Sequence, residues 1–299
     1  MKRQHIITYA QNREDIILSG FFDEDEKGFY VDIGANDPIH ESVTKYFYDK
    51  GWSGINVEPI PVMHKKLVEA RPRDINVAIG IGSKAGKAQL HYYPNGDGLS
   101  TLSEKMAKDY AKEGSAYTNE EVITEIEIIT LSSLFEKNID QPIHFMKVDV
   151  EGYEYEVLAG NDWNKFRPQV ICIEANHVKK DWHPLLKKQG YSLSFYDGLN
   201  EYYTDDSTDR AKKFDYVRAI IFNEPIVNFR LLEDFKEYED EVASLKSEAT
   251  LLSKQLQDSR NLIEELTPLK RHIKRQVKAR LNHLRSRTDN QRPKKRKAN

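Results

Sequence analysis

Residues 29–37 read FYVDIGAND: Phe29, Val31 and Ile33 alternate, the run meets Gly34, and it breaks at Ala35, Asn36, Asp37 and Pro38. That pattern predicts a buried strand ending in a tight turn. Glycine at the turn lets backbone approach a ligand, whereas Asp32, on the strand itself, is costly to bury unless something pairs with it or it faces a site. Taken alone the stretch is equally an ordinary strand-turn-helix unit, because short glycine motifs recur by accident.

The residues downstream separate the two readings. A helix is expected over 41–50, followed by "GWSGINVEPI" (51–60), a second short strand that ends at Glu58 and is stopped by Pro59. Glu58 lies 24 residues past Gly34, the spacing at which a nucleotide-binding βαβ unit presents an acid to the two ribose hydroxyls. A third unit repeats the plan with a helix over 62–70 and a strand over 75–81, placing Asn76 and Ala78 where an adenine edge would be met. Upstream, "HIITYAQNREDIILSGFF" predicts a helix from Asn12 with Ile16, Ile17 and Phe21 on one face, its polar start reading as a cap as readily as a site.

Further along, strands are expected over 87–93 and up to Ile129, with 107–121 between them polar enough for a mobile loop and 131–135 a short helix. A central strand over 144–150 carries Asp149 and Glu151 to its carboxyl end beside Gly152, and a helix over 153–159 closes at Gly160. The next strand, 170–174, adds Glu174, Asn176 and His177 at the same edge, which is where ligands sit in an open α/β sheet. Three acids and a histidine at two adjacent strand ends favour a site over packing, since unpaired buried carboxylates are expensive. A helix over 183–189, a strand over 191–197, a polar turn and a last strand over 216–223 end the domain near residue 225. The expectation is a mostly parallel α/β sheet with one antiparallel edge strand.

Composition sets bounds. A chain of 299 residues, 39% apolar, has room for one large α/β domain and an appendage. The net charge of -3 hides an asymmetry: residues 269–299 carry 13 Lys and Arg against the single acid Asp289. The acidic remainder is no nucleic-acid binder by charge. The one cysteine, Cys172, lies in the apolar run "QVICIEA", so no disulfide forms within the chain and a buried thiol in a reducing compartment is expected. The first twenty residues lack a sustained apolar core and no run of ~20 apolar residues occurs, so the expected location is cytoplasmic, or peripheral at the inner face of a membrane.

Five blocks in order, "YAQNREDIIL", "FYVDIGAND", "KGWSGINVEPI", "FMKVDVEGYEYEVLAG" and "PQVICIEA", resemble the FkbM family of S-adenosylmethionine-dependent methyltransferases over residues 9–223. The resemblance implies a Rossmann-like seven-stranded methyltransferase sheet and methylation of a hydroxyl, commonly on a sugar or polyketide. It implies that Asp32, Gly34 and Asn36 line the methionine part of S-adenosylmethionine, that Glu58 holds the ribose, and that Asp149 and Glu151 face the methyl group. The glycine-rich pattern of many methyltransferases is reduced here to Gly34. Some related sugar methyltransferases use a divalent ion, and Asp149, Glu151 and Glu174 would suit a hard cation such as Mg²⁺. An alcohol must lose its proton to attack, so His177 or Glu151 would serve as base, a surface role for His177 remaining open.

The C-terminal quarter has another character. From Leu231 to Leu266 apolar positions recur in alternating steps of four and three, interrupted only by Ala249 and Ser259, which predicts a coiled coil about 54 Å long. Val242 and Ile263 at a, with Leu245, Leu252 and Leu266 at d, lean toward a parallel homodimer through 231–266, with one helix folded back on its own domain as the alternative. Pro268 is expected to break the helix. Beyond it Leu269, Ile273, Val277, Leu281 and Leu284 share an arc opposite Lys274, Arg275, Lys278 and Arg285. A basic amphipathic helix and "RPKKRKAN" fit an anionic membrane surface, with nucleic-acid phosphates or a merely soluble tail as the alternatives; the absence of aromatics after Tyr238 speaks against base stacking but not against phosphate contact. The chain thus divides into a methyltransferase-like domain (1–225), a coiled coil (226–267) and a basic helix and tail (268–299).

The expected activity is methyl transfer from S-adenosylmethionine to a hydroxyl of a sugar, polysaccharide or lipid-linked glycan. Two rivals are weighed. A nicotinamide-dependent oxidoreductase needs glycines where Asn36 and Ile39 stand. A catalytically silent scaffold working through its coiled coil and basic tail would have lost the acids at 32, 58, 149 and 151, and all four are present.

Overall fold

The computed structural model describes residues 6–176, 180–223 and 226–290. In chain order its elements are β1 (Ile6–Thr8), α1 (Glu14–Ser19), β2 (Phe29–Ile33), α2 (Lys45–Asp49), β3 (Ser53–Val57), α3 (Pro61–Ala70) and β4 (Ile75–Val77). There follow β5 (Gly80–Ile81), β6 (Gly86–Tyr92), α4 (Glu104–Glu113), β7 (Val122–Ile129), α5 (Leu131–Asn138), β8 (Phe145–Val148), α6 (Glu154–Ala159) and β9 (Val170–Glu174). The chain ends with α7 (His183–Lys188), β10 (Tyr191–Tyr196), β11 (Asn200–Asp205), α8 (Arg210–Asn223), β12 (Ile226–Asn228) and α9 (Phe229–Asn290).

Seven strands form the main sheet in the order β10-β11-β9-β8-β2-β3-β4. β4, β3, β2, β8 and β9 are parallel, and β11 runs antiparallel to both neighbours. The period-two alternation of strands sorts their side chains into two layers. On one face Val31, Ile33, Met146, Val148, Ile171 and Ile173 pack with Leu134, Phe135, Val157, Leu158 and Leu186 from α5, α6 and α7. On the other, Tyr30, Phe145, Cys172 and Tyr202 pack with Ile17, Leu18, Phe47 and Phe214 from α1, α2 and α8. Each such fully buried side chain contributes about 1.5–3 kcal/mol, so this sandwich is what holds the strand ends in place. A polar row crosses the second face: Asn76, Asn56, Asp32, Lys147, Cys172 and Tyr202 stand in register on neighbouring strands.

Several expectations are corrected. The antiparallel strand lies one place in from the edge, and it is the segment expected as a polar turn, Asn200–Asp205. Its polar groups escape the usual penalty because they are partnered: Asn200 donates to Glu14, Thr204 bonds Ser194, and Arg167 donates to Asp205. Residues 216–223, expected as the last strand, lie in α8. The strand expected over 75–81 divides, β4 staying in the main sheet and β5 joining a second sheet ordered β5-β7-β6. The helix expected over 41–50 covers only Lys45–Asp49. The segment expected as a mobile loop, 107–121, begins inside α4, which is capped by the Ser103 hydroxyl accepting from the Met106 N–H and anchored by buried Met106, Ala107 and Tyr110.

The domain body also extends past residue 225. β12 pairs in parallel with β1, and the chain divides into compact units at Leu232. Beyond that division Pro268 does not end the helix: α9 runs through it to Asn290. One proline removes a single N–H donor and costs a few kcal/mol, which a 62-residue helix tolerates.

Candidate functional site

A cleft of about 600 Å³ opens where β2, β3, β8 and β9 end, and Gly34, Asn36, Glu58, Asp149, Glu151 and Glu174 all line it. Its far wall comes from the link between β4 and β5, the second sheet and the connection between β6 and β7, with Ile79, Ile81, Leu90, Leu99, Leu102 and Tyr117.

The half nearest β2 and β3 is built from backbone turns. Gly34 has φ +83°, and a Cβ there would sit 1.9 Å from the Asp149 carbonyl oxygen, so no other residue fits. Asn36 follows with φ 48°, and its N–H donates to Glu58 Oε2 at 2.8 Å. The other oxygen, Glu58 Oε1, accepts from the Ile60 N–H at 2.7 Å. Glu58 thus ties the two turns together while lying on the cleft wall. Asn36 Oδ1 is buried without a hydrogen-bond partner among the described residues, an open acceptor beside the cleft.

The other half is an acid cluster. One oxygen from each of Asp149, Glu151 and Glu174 lies within 4.8 Å of the others. Lys147 donates to Asp149 Oδ2 at 2.9 Å. Burial opposes the charged form of Lys147, but Asp149 and Asp32 outweigh it and hold the ammonium's pKa above its ordinary value. Glu151 adopts φ 51° and is buried. Its carbonyl accepts from the Thr101 hydroxyl at 2.7 Å and its carboxylate from the Tyr110 hydroxyl at 2.7 Å. Burial and the Asp149 charge push Glu151 up to about 8, although the Tyr110 hydrogen bond pulls the other way. Burial, then Asp149 and Glu151, raise Glu174 as well, and Asn176 donates to its Oε1 at 3.0 Å. Glu154 braces the turn from below, accepting the Val150 and Gly152 N–H groups.

Three expected site residues lie elsewhere. Asp32 is buried in the sheet rather than on the cleft wall, where the Thr44 hydroxyl donates to it at 2.9 Å and Lys147 is its register partner. Asn76 belongs to a structural network with Asn56, Arg71 and Asp74. Ala78 is exposed, and the wall at that point is Ile79 and Ile81, because the chain leaves the main sheet after Val77. His177 lies outside the described residues. Sequence reasoning missed Lys147, Thr101 and Tyr110. A lysine inside the apolar run "FMKV" was a signal for a buried ion pair, whereas no local feature announced Tyr110.

The profile of the family described as "Methyltransferase FkbM domain" matches residues 32–193, more than half of the chain. Methyltransferase sdnD of Sordaria araneosa is 28% identical over 195 residues, covering 56% of this chain and 74% of that protein. A solved methyltransferase FkbM from Methylobacillus flagellatus KT aligns at 17% identity with a TM-score of 0.39, covering 62% of this chain and 45% of that one, so the chain spans less than half of that protein's length.

Proposed function

The chain belongs to the FkbM family of methyltransferases, and from that premise we propose that it moves a methyl group from S-adenosylmethionine to a hydroxyl of a sugar, polysaccharide or lipid-linked glycan. The observation that carries the reading is the pairing in one cleft of a glycine-cradled turn braced by Glu58 with a cluster of carboxylates at the neighbouring strand ends. The residues fit the cofactor: Gly34 leaves room at the turn, Glu58 offers a carboxylate to a ribose, and Asn36 Oδ1 is an open acceptor. Bound there, S-adenosylmethionine supplies an electrophilic methyl group on a sulfonium.

The chain's own residues then divide the work. Asp149, held by Lys147, orients the acceptor hydroxyl. Glu151 in its ionised form takes the hydroxyl proton, and burial and the Asp149 charge, which raise its pKa, make that form a stronger base than an exposed carboxylate. Carboxylates and the amides of Asn95 and Asn176 suit a polyhydroxylated acceptor, and Tyr117 offers it an aromatic face. The same three acids, Asp149, Glu151 and Glu174, fit a hard divalent cation such as Mg²⁺, which would supply Lewis acidity toward the hydroxyl. No helix of the described residues is long and apolar enough to cross a membrane.

Calorimetric titration with S-adenosylhomocysteine tests the reading. Micromolar binding that weakens at least tenfold in Glu58→Gln is expected; no binding by the wild-type chain would leave a silent scaffold as the better account.

A further inference from the structure

The longest element among the described residues, α9, carries an apolar stripe that no other described residue covers. Leu245, Leu252, Leu256, Ile263, Leu266 and Ile273 are between 40% and 65% exposed. A helix of 62 residues is about 93 Å long at 1.5 Å per residue, and a stripe along such a rod marks a partner surface. The stripe keeps its alternating steps of four and three past Pro268, where Lys270, Ile273, Val277 and Arg280 continue it.

Because α9 is unbroken, two oppositely charged stretches lie on one rod. Residues 233–248 hold seven acids against two lysines, and residues 269–290 hold eight Lys and Arg against Asp289. A parallel pair of helices would lay acid on acid and base on base, and would set Lys270 against Lys270 and Arg280 against Arg280 within the seam. Like charges held side by side are penalised, and repulsion of this kind decides helix-partner orientation. Reversing one helix removes every one of these clashes.

We propose that a second copy of this chain lies antiparallel along α9, with the acidic stretch of each copy against the basic stretch of the other. With Leu252 opposite Ile263 of the second copy, Val242 meets Ile273, Tyr238 meets Val277, and the Lys270 stem lies on Leu245 with its ammonium in solvent. Glu239 then flanks Lys274. This orientation differs from the parallel pairing suggested by the seam up to Leu266 alone, because the basic half of the rod decides it.

Single-cysteine variants of the full-length chain test the orientation, since Cys172 is fully buried and an introduced thiol is the accessible one. Leu252→Cys and Ile263→Cys are prepared separately and oxidised alone and after mixing at low salt. Only the mixture is expected to give a disulfide-linked dimer, and sedimentation equilibrium of the wild type should show a dimer that weakens at least tenfold between 50 mM and 1 M salt. Retained S-adenosylhomocysteine binding shows that each variant is folded. Disulfides within each single variant would overturn the proposal in favour of parallel pairing. A wild-type monomer at micromolar concentration would overturn it too, and if that monomer bound vesicles of anionic lipid, the basic stretch would be a membrane reader instead.

Discussion

Asp32 and Lys147 are register partners on adjacent parallel strands, an acid and an ammonium side by side within a sheet, each more than nine-tenths buried. Lys147 also reaches Asp149 at the cleft, so one buried cation serves a structural acid and a site acid together. Removing it should be costly, because it strands two carboxylates. Lys147→Met is expected to lose roughly 3–5 kcal/mol of stability in urea unfolding. Adding Asp32→Asn should restore part of that loss; a Lys147→Met protein as stable as the wild type would show that the pair carries no such weight.

Gly34 admits no side chain. Gly34→Ala combines a left-handed backbone with a Cβ 1.9 Å from the Asp149 carbonyl oxygen. We expect more than about 1 kcal/mol of lost stability, with S-adenosylhomocysteine binding reduced beyond what the stability loss explains. Unchanged binding and melting temperature would mean that the turn rearranges freely.

Cation binding at the acid cluster should release protons. Glu151, pushed up to about 8, holds a proton at pH 7 that a bound cation would displace. Glu174 is raised as well, so Mg²⁺ titrated by calorimetry in two buffers of different ionisation heat should release on the order of one to two protons per site. Heats identical in both buffers, or none, would argue against Asp149, Glu151 and Glu174 as ligands.

Tyr110 donates to Glu151 from α4, an element outside the main sheet. Tyr110→Phe removes a hydroxyl that favours ionised Glu151, so the proton displaced by Mg²⁺ should be held more tightly and apparent Mg²⁺ affinity at pH 7 should fall several-fold. Affinity equal to wild type would show the hydroxyl to be incidental.

Asp15 gives a pH signature independent of the cleft. It is fully buried, accepts from the Thr8 hydroxyl and the Tyr9 and Ile16 N–H groups, and burial pushes it up to about 7. The folded chain therefore binds a proton across the window from about pH 4 to 7 in which the unfolded chain has released it. The associated stability is fully present below pH 4 and is lost as pH rises through 7, by up to about 4 kcal/mol. Thermal unfolding from pH 4.5 to 8 should fall more steeply for the wild type than for Asp15→Asn, and parallel curves would refute the assignment.

What the sequence disclosed follows from range. The strands at Phe29–Ile33 and Val170–Glu174 were legible because alternation of burial is local. β11 was not, because Asn200–Asp205 pairs on both sides within the sheet and buries its polar groups against residues far away in the chain, including Glu14. Asn76 and Ala78 were misplaced because the excursion of the chain into a second sheet after Val77 depends on pairing with β7, more than forty residues later. Pro268 read as a helix end, yet neighbouring turns keep their hydrogen bonds and carry α9 through it.

By itself the sequence determined the turn at Gly34, the acid at Glu58 and the delivery of Asp149, Glu151 and Glu174 to strand ends, since a strand's period and its break are written in consecutive residues. Only the tertiary structure decided which acids converge and which is neutralised. Lys147 stands beside Asp32 because of cross-strand register, and Tyr110 meets Glu151 because a helix from a distant connection folds over the strand ends. Both contacts join residues far apart in the chain, and burial together with neighbouring charges sets their pKa values, so no local pattern could reveal them.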